Sequence, residues 1–520
     1  MKKISLVKSG AFLSILTFGS RILGLIREMT KSSFMGTTAM ADAFTVAFMI
    51  PNLLRRLFAE NSITVAFIPT FKKYLEEPDS VEQKENIKEF LSATFTLISF
   101  ATSCVVIVGI LFAPIISGFF KSDFSLTVLL TRIMFPYLLL ISLAAFFQGI
   151  LNSVKIFAPA GFTPILFNLI IIGATYALAK PLQNAALAMA IGVIIGGFVQ
   201  AGFQLPFVLR QGFRFRLISL TRTLQNPGTR QVLRLIGPTI IGMAAYQVND
   251  VISTALATAA GTGIASSLQY SLRLQELLLG VFAVSIGTVI LPDMTSYAMK
   301  KNWAAFQNLL IQATKIIALI TIPATVFSLL SGEHVITLIY KNRTFTDESV
   351  RLTLDAFRWH IVGLFAIALN RIIAPAFYAQ NDPQSPTIAG IASFAVNILL
   401  ALTLVLPMRG GGIALALTLA SIANTILLFA FLRRKETIDI KSVLVSSTAF
   451  ILKITFFSLI AALPLYFFGE SIYRLFSGHG RLIGQGVPLF LNLCIFSAAG
   501  LVLLLITKDK TLSAIIKRIR

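Results

Sequence analysis

Fourteen apolar runs recur along this chain, each long enough to cross a bilayer as a helix, which takes about 20 residues. They lie at 9–32, 39–70, 90–118, 126–154, 157–179, 184–208, 232–258, 265–297, 303–331, 350–378, 385–407, 411–432, 443–468 and 486–507. Of the 520 residues, 56% are hydrophobic and 13% charged, and an average soluble domain carries about 25% charged residues. Such a chain has too few polar groups to cover a surface in water. Hydrocarbon offers no hydrogen-bond partners, so each run must satisfy its own backbone, and continuous runs do this as helices. Membrane barrels need alternating apolar and polar residues and are excluded. The expected fold is an all-α membrane protein of 14 transmembrane helices.

An even number of spans puts both termini on one side. Lys and Arg on the side of the termini outnumber those on the other by about three to one, which marks that side as cytoplasmic. The largest groups are Arg210, Arg214, Arg216, Arg222, Arg230 and Arg234 in the middle, and Lys508, Lys510, Lys517, Arg518 and Arg520 at the end. Topology thus accounts for most of the net charge of +22, and no nucleic-acid partner is needed. The basic, apolar N-terminus begins like a signal peptide but lacks a small-residue cleavage site, so it reads as a retained first helix. The longest polar stretch, 72–89, is a short cytoplasmic connection. Cys104 and Cys494 sit in apolar runs and read as core thiols. With three scattered histidines and no CxxC, zinc, haem and iron–sulfur sites are not expected.

An internal repeat divides the chain. Phe58-Ala59, Ser62-Ile63 and Pro69 in the second run match Phe282-Ala283, Ser285-Ile286 and Pro292 in the eighth. Helices 1–6 and 7–12 then form two six-helix lobes related by a pseudo-twofold, with two further helices at the C-terminal end. The expected divisions are 1–208 (N-terminal lobe), 209–231 (cytoplasmic linker), 232–432 (C-terminal lobe) and 433–520 (helices 13–14 and a basic tail). Transporters built this way bind substrate between halves that rock against each other.

Ionisable residues at membrane depth are costly, about 2.5–3.5 kcal/mol each on insertion scales, and mark sites or ion pairs. They gather in the first two helices of each lobe: Arg21, Arg27 and Glu28; Asp42, Arg55, Arg56 and Glu60; Asp250; Arg273 and Glu276. Pro51 lies inside the second run, where it should kink or break the helix. A half-helix starting there would aim free N–H groups inward, with Arg55 one turn on, an arrangement suited to an anion. Arginine suits phosphate because its planar fork donates two parallel hydrogen bonds. The competing reading is ion pairing: Arg56 with Glu60, Arg273 with Glu276, or Arg21 with Asp42. Glu28 adjoins Arg27 but points about 100° away around the helix. Asp250, with Asn249 and Asn397, could bind Na⁺ or a proton, or simply join helices by hydrogen bonds. Arg132, Asp355, Arg358 and Arg371 read as snorkelling near helix ends.

The segments SRILGLIRE (20–28) and ADAFTVAFMIPNLLRRLFAENSITVAFIP (41–69) resemble the MurJ (MviN-type) lipid II flippases. FPYLLLISLAAFFQGILNS (135–153) and LRLQELLLGVFAVSIGTVILP (272–292) extend the likeness, which covers essentially all fourteen helices and is weakest in the last two. The resemblance implies the multidrug/oligosaccharidyl-lipid/polysaccharide exporter fold and a substrate, undecaprenyl-pyrophosphoryl disaccharide-pentapeptide. It implies that Arg27, Arg55 and Arg273 engage the pyrophosphate, and that Arg21, Asp42, Glu276 and Arg56 shape or gate the cavity. It implies a polyprenyl groove on 443–468 and 486–507. A Na⁺ site known in some members falls near Asp250 and Asn397, but helix 11 offers no acidic residue here.

A pyrophosphate headgroup cannot cross hydrocarbon unaided. With no phosphate-loop sequence, energy must come from the membrane potential or a Na⁺ or H⁺ gradient, and no other cofactor is expected. The protein is thus read as a monomeric transporter of the bacterial cytoplasmic membrane, not an enzyme. Its partners are lipid II, membrane lipids and cell-wall synthesis proteins. The alternatives are an exporter of another polyprenyl-linked glycan or of drugs, a membrane glycosyltransferase (which would need a DxD-type cluster, absent here), and a non-transporting scaffold.

Overall fold

The structure is a computed structural model that describes residues 6–57, 66–76, 80–435 and 438–507. The described residues form helices and no strands. Seventeen α-helices follow one another: α1 Leu6–Met35, α2 Ala39–Arg55, α3 Ile68–Glu76, α4 Val81–Gly118, α5 Phe124–Met134, α6 Tyr137–Ser153, α7 Ala158–Leu178, α8 Ala185–Arg210, α9 Leu220–Gln225, α10 Pro227–Ala260, α11 Ile264–Met299, α12 Trp303–Tyr340, α13 Asp347–Val362, α14 Leu364–Tyr378, α15 Gln384–Arg433, α16 Ile440–Leu475 and α17 Val487–Ile506. Among the described residues, eight spans are long and apolar enough to cross a membrane, or nine if the bent pair α13–α14 is one span. The fourteen apolar runs all overlay these helices, with α15 carrying two of them. The repeat residues 58–65 lie outside the described residues.

The chain divides into two compact units, Met1–Ser266 and Ser267–Arg520. The first is built on α6, α7 and α8. Gly192, Gly196 and Gly197 let these helices approach closely. A Cβ at Gly192 would meet Ile171 Cα at 3.0 Å, one at Gly196 the Phe167 ring at 2.7 Å, and one at Gly197 the Tyr137 ring at 2.8 Å. Small residues are how membrane helices gain packing where lipid supplies no hydrophobic drive. At one end of the unit Phe67, Phe71, Phe90 and Phe146 form an aromatic layer. The basic segment after α8 is bound to it. Phe213 meets Phe71 at 5.5 Å and Phe215 meets Phe95 at 4.8 Å. The Arg216 and Ile218 N–H groups donate to Ser92 Oγ and Thr96 Oγ1, both at 3.1 Å.

The second unit is organised by two helix breaks and by the packing of α16. The pair α13–α14 bends by 43° at Gly363, where a Cβ would press on Thr418 Oγ1 at 2.6 Å. Pro407 precedes a break in α15 at Arg409, whose backbone is non-helical (φ 46°, ψ −123°). The new helical start after the break is capped by Asp355, whose Oδ2 accepts the Gly411 N–H at 3.1 Å. Asp355 therefore caps a helix instead of snorkelling. Finally, α16 packs on α12 and α17 through Phe327, Ala461, Ala462, Leu465 and Phe496. The outward faces of α4 and α16 are apolar, with Ile107, Leu111 and Ile115 on one and Leu452, Phe456 and Leu459 on the other, as lipid contact requires. Cys104 and Cys494 are exposed, so neither is a core thiol.

Candidate functional site

In the first unit Arg21, Arg27 and Glu28 lie on α1 and Asp42 and Arg55 on α2, and the uncharged α7 packs against α1. The Arg27 guanidinium pairs with Glu28 Oε1 at 2.8 Å and donates to Asn168 Oδ1 at 3.2 Å. Asn168 is fixed by donating to the Pro164 carbonyl at 2.9 Å, so its oxygen is turned toward the arginine. The guanidinium also lies 5.9 Å from the Phe48 ring centre, a cation–π distance. It retains 16% exposure, so one side stays open to an approaching anion. The helical angle between residues 27 and 28 suggested they would diverge. The long arginine side chain spans that angle and the two pair.

The helix α2 runs unbroken through Pro51 to Arg55, so the expected half-helix start is not formed. A proline in a helix costs one hydrogen bond and some strain, and here the flanking turns continue regardless. Arg55 Nε donates to Asn52 Oδ1 at 3.0 Å. Arg56 reaches a second helix. Its Nη1 lies 3.5 Å from Asp250 Oδ2 on α10, and Glu60 is outside the described residues. Arg21, half-buried on α1, does not pair with Asp42. Asp42 is buried and occupied elsewhere: Oδ2 accepts the Gly263 N–H at 2.6 Å and Oδ1 the Ser266 N–H at 2.8 Å. It thereby caps the start of α11, where a carboxylate satisfies free donors and meets the positive helix end.

In the second unit Arg273 Nη1 and Glu276 Oε2 pair at 3.0 Å across one turn of α11, with Arg273 30% exposed. Two residues to either side, Ser271 Oγ bonds His360 Nδ1 at 2.6 Å, and Gln275 donates to the His360 carbonyl. This buried polar layer fixes the face of α11 opposite the arginine. Asn397 is buried on α15. Among the described residues no group of three His, Cys, Asp or Glu side chains gathers as a metal site.

The sequence reading missed Lys31, Asn168 and Phe48. Lys31 is fully buried and donates to Thr45 Oγ1 at 2.7 Å. Its signal was present: it follows Arg27 by four residues and Glu28 by three, on the same helix face.

Taken unit by unit, the arginines are held by a carboxylate or an amide: Arg27, Arg55 and Arg56 in the first unit and Arg273 in the second. Such groups are oriented before any anion arrives. Comparison with known proteins agrees with the fold. The family model for lipid II flippase MurJ matches residues 31–477. The chain is 51% identical over 520 residues to a probable lipid II flippase MurJ of Treponema pallidum, covering 100% of this chain and 99% of the relative. It is 31% identical over 479 residues to that of Rickettsia prowazekii, covering 90% and 92%. Among solved structures it is similar to a lipid II flippase MurJ in an inward closed conformation, with TM-score 0.77, 25% identity and coverage of 96% and 99%. An inward-facing multidrug resistance transporter of the MATE family shares the fold at TM-score 0.65 and 15% identity, covering 82% and 95%. By its sequence over essentially its full length, this chain belongs to the lipid II flippase MurJ family.

Proposed function

We propose that this protein flips lipid II, undecaprenyl-pyrophosphoryl disaccharide-pentapeptide, from the inner to the outer leaflet of the bacterial cytoplasmic membrane by alternating access. The observation that carries this reading is Arg27: a guanidinium inside an apolar lobe, oriented by Glu28, Asn168 and Phe48 yet open on one side. Arg27, Arg55 and Arg273 hold the pyrophosphate, and Arg21, Arg56, Asp42 and Glu276 shape and gate the path. Each arginine trades part of its carboxylate or amide contact for phosphate oxygens, so charge is moved between partners and never left bare in hydrocarbon.

Both termini face the cytoplasm, fourteen helices span the membrane, and the protein acts as a monomeric transporter, not an enzyme. The last two helices offer the polyprenyl tail an apolar groove while the head passes through protein. Transport is driven by the membrane potential, about 2.3 kcal/mol per charge per 100 mV, or by a Na⁺ or H⁺ gradient. Asp250 and Asn397 are the residues to test for Na⁺. Contact with cell-wall synthesis proteins is part of the same reading.

The test is leaflet access. Spheroplasts depleted of their own flippase are supplied with this protein, and an externally added enzyme that cleaves the lipid II headgroup reads its outer-leaflet pool. The proposal expects cleavage to be restored, and to be lost with Arg27→Ala. Restoration of growth with no externally cleavable lipid II would instead favour the scaffold reading.

A further inference from the structure

His334, near the end of α12, takes no part in the function proposed above. Both of its ring nitrogens are engaged. Nδ1 lies 2.9 Å from Gln485 Oε1, in the tight turn Leu482–Gly486 that leads into α17. Nε2 lies 3.2 Å from Glu470 Oε1 on α16. Both facing atoms are oxygens, and an ionised carboxylate only accepts. A neutral imidazole carries one N–H and one lone pair, whereas an imidazolium carries two N–H donors. The arrangement is therefore complete when the ring is charged. The Gln485 amide can turn over to offer its NH2 to a neutral ring, but the Glu470 carboxylate has no such choice. It keeps a proton on Nε2, so the proton gained or lost is the one on Nδ1.

The surroundings favour the charged ring as well. His334 stacks on Tyr473 of α16, with ring centres 3.5 Å apart and planes 8° from parallel, and an aromatic face attracts a cation. One turn further along α12, Leu338 meets the same turn: a Cβ on Gly486 would lie 3.6 Å from its Cδ1. The imidazole thus joins three elements, α12, α16 and the turn before α17. Its side chain is 20% exposed and that of Glu470 72%, so protons reach the pair from water. Other ionisable groups at this end are engaged elsewhere or open to water. Lys341 pairs with Asp347 and Arg351 with Glu348, and Arg481 donates to the Lys341 carbonyl. Glu333, Arg343, Arg358, Arg474 and His479 are exposed. On α13, Asp355 is turned to Gly411 and His360 to Ser271. Arg371 and Tyr378 of α14 lie beyond Ile361, which is already level with Thr325, more than two turns from His334. The turn before α17 and α17 itself carry no charged side chain.

We propose that His334 is a proton-binding site that ties the last two helices to α12. The imidazolium donates to Glu470 and Gln485 together, and loss of the Nδ1 proton weakens the first contact and breaks or reverses the second. The tie is made by the protonated ring, so it is present at low pH and lost as pH rises through about 5 to 8, where imidazoles change charge. On the topology proposed above this end faces outward, so external pH sets the tie. The site itself depends neither on that orientation nor on lipid II.

The test is hydrogen exchange by mass spectrometry on the full-length protein in detergent, at about pH 5.5 and about pH 8, expressed as protection relative to the unfolded-chain rate at each pH. Peptides covering 480–490 read the turn and the start of α17, and peptides from α8 are the reference. We expect protection at 480–490 to fall about three- to fivefold as pH rises, the size of one partly exposed charge-assisted contact, while α8 stays level. His334→Phe keeps a ring on Tyr473 and should abolish the response. Glu470→Gln removes the charge and should reduce it to less than about twofold. Equal protection at both pH values in the parent overturns the proposal, and so does a parent-like response in His334→Phe. Should His334→Phe fail to fold, Glu470→Gln decides the matter: a parent-like response there refutes the tie, and a flattened one supports it.

Discussion

Asp42 makes a claim that can be checked without substrate. Its carboxylate accepts two buried N–H groups at the start of α11, Gly263 at 2.6 Å and Ser266 at 2.8 Å, and it is 3% exposed. Gly263 has φ +83°, a conformation that aims its N–H at the carboxylate and that side-chain-bearing residues rarely adopt. Asp42→Ala leaves both buried donors without their carboxylate acceptor. Each orphaned donor costs about 1–2 kcal/mol, so the α11 start should be destabilised by about 2–4 kcal/mol. That is roughly a 30- to 1000-fold drop in protection from hydrogen exchange at these amides. Asp42→Asn keeps one acceptor and should fall between the parent and Ala. Exchange measured by mass spectrometry on peptides covering 261–270 reads the effect, with peptides from the α8 core as the internal reference. Equal protection in parent and Asp42→Ala would refute the cap.

Three further outcomes follow from other contacts. Gly196→Leu drives a side chain into Phe167, already 2.7 Å from a Cβ there, and should cost about 1–3 kcal/mol, seen as a lower thermal midpoint in detergent. Asp382 is held down to about 2, first by the Lys435 ammonium at 2.7 Å and then by Ser385. Because its folded value lies below the ordinary carboxylate value of about 3.9, its contribution is present above pH 4 and lost as pH falls toward 2. Asp382→Asn should therefore lower the thermal midpoint equally from pH 5 to 8, with the difference vanishing near pH 2. A cysteine placed in 209–231 should resist membrane-impermeant thiol reagents in intact cells and react after lysis. Labelling from outside would reverse the topology.

Much of the fold was legible because apolar periodicity is a local signal. The break in α15 is an example: Pro407 and Gly410-Gly411-Gly412 separate its two apolar stretches, and the non-helical residue is Arg409, between them. Pro51 shows the limit. The same rule expected a break in α2, but a proline can be carried within a helix when the turns on either side are well packed. Ala47 and Pro51 itself are buried. The identity of the charged residues was also legible, as was the one-turn pair Arg273–Glu276, but the long-range partners were not. Asp42 meets residues 221 and 224 positions away, and Arg56 meets Asp250 194 positions away. The nearby candidate for Asp42, Arg21, is not its partner, while Glu60, the candidate for Arg56, lies outside the described residues. Asp355 is the same case, capping Gly411 from 56 residues away. Lys31 was readable from its spacing to Glu28 and was passed over because it lies at the end of an apolar run.

The central claim is that oriented arginines move a lipid pyrophosphate. Complementation tests it most directly: a bacterium depleted of its native flippase is given this protein with Arg27, Arg55 or Arg273 changed to Ala, at matched membrane levels. The account predicts growth with the parent protein and lysis with the arginine variants. Normal growth with all three variants would contradict it.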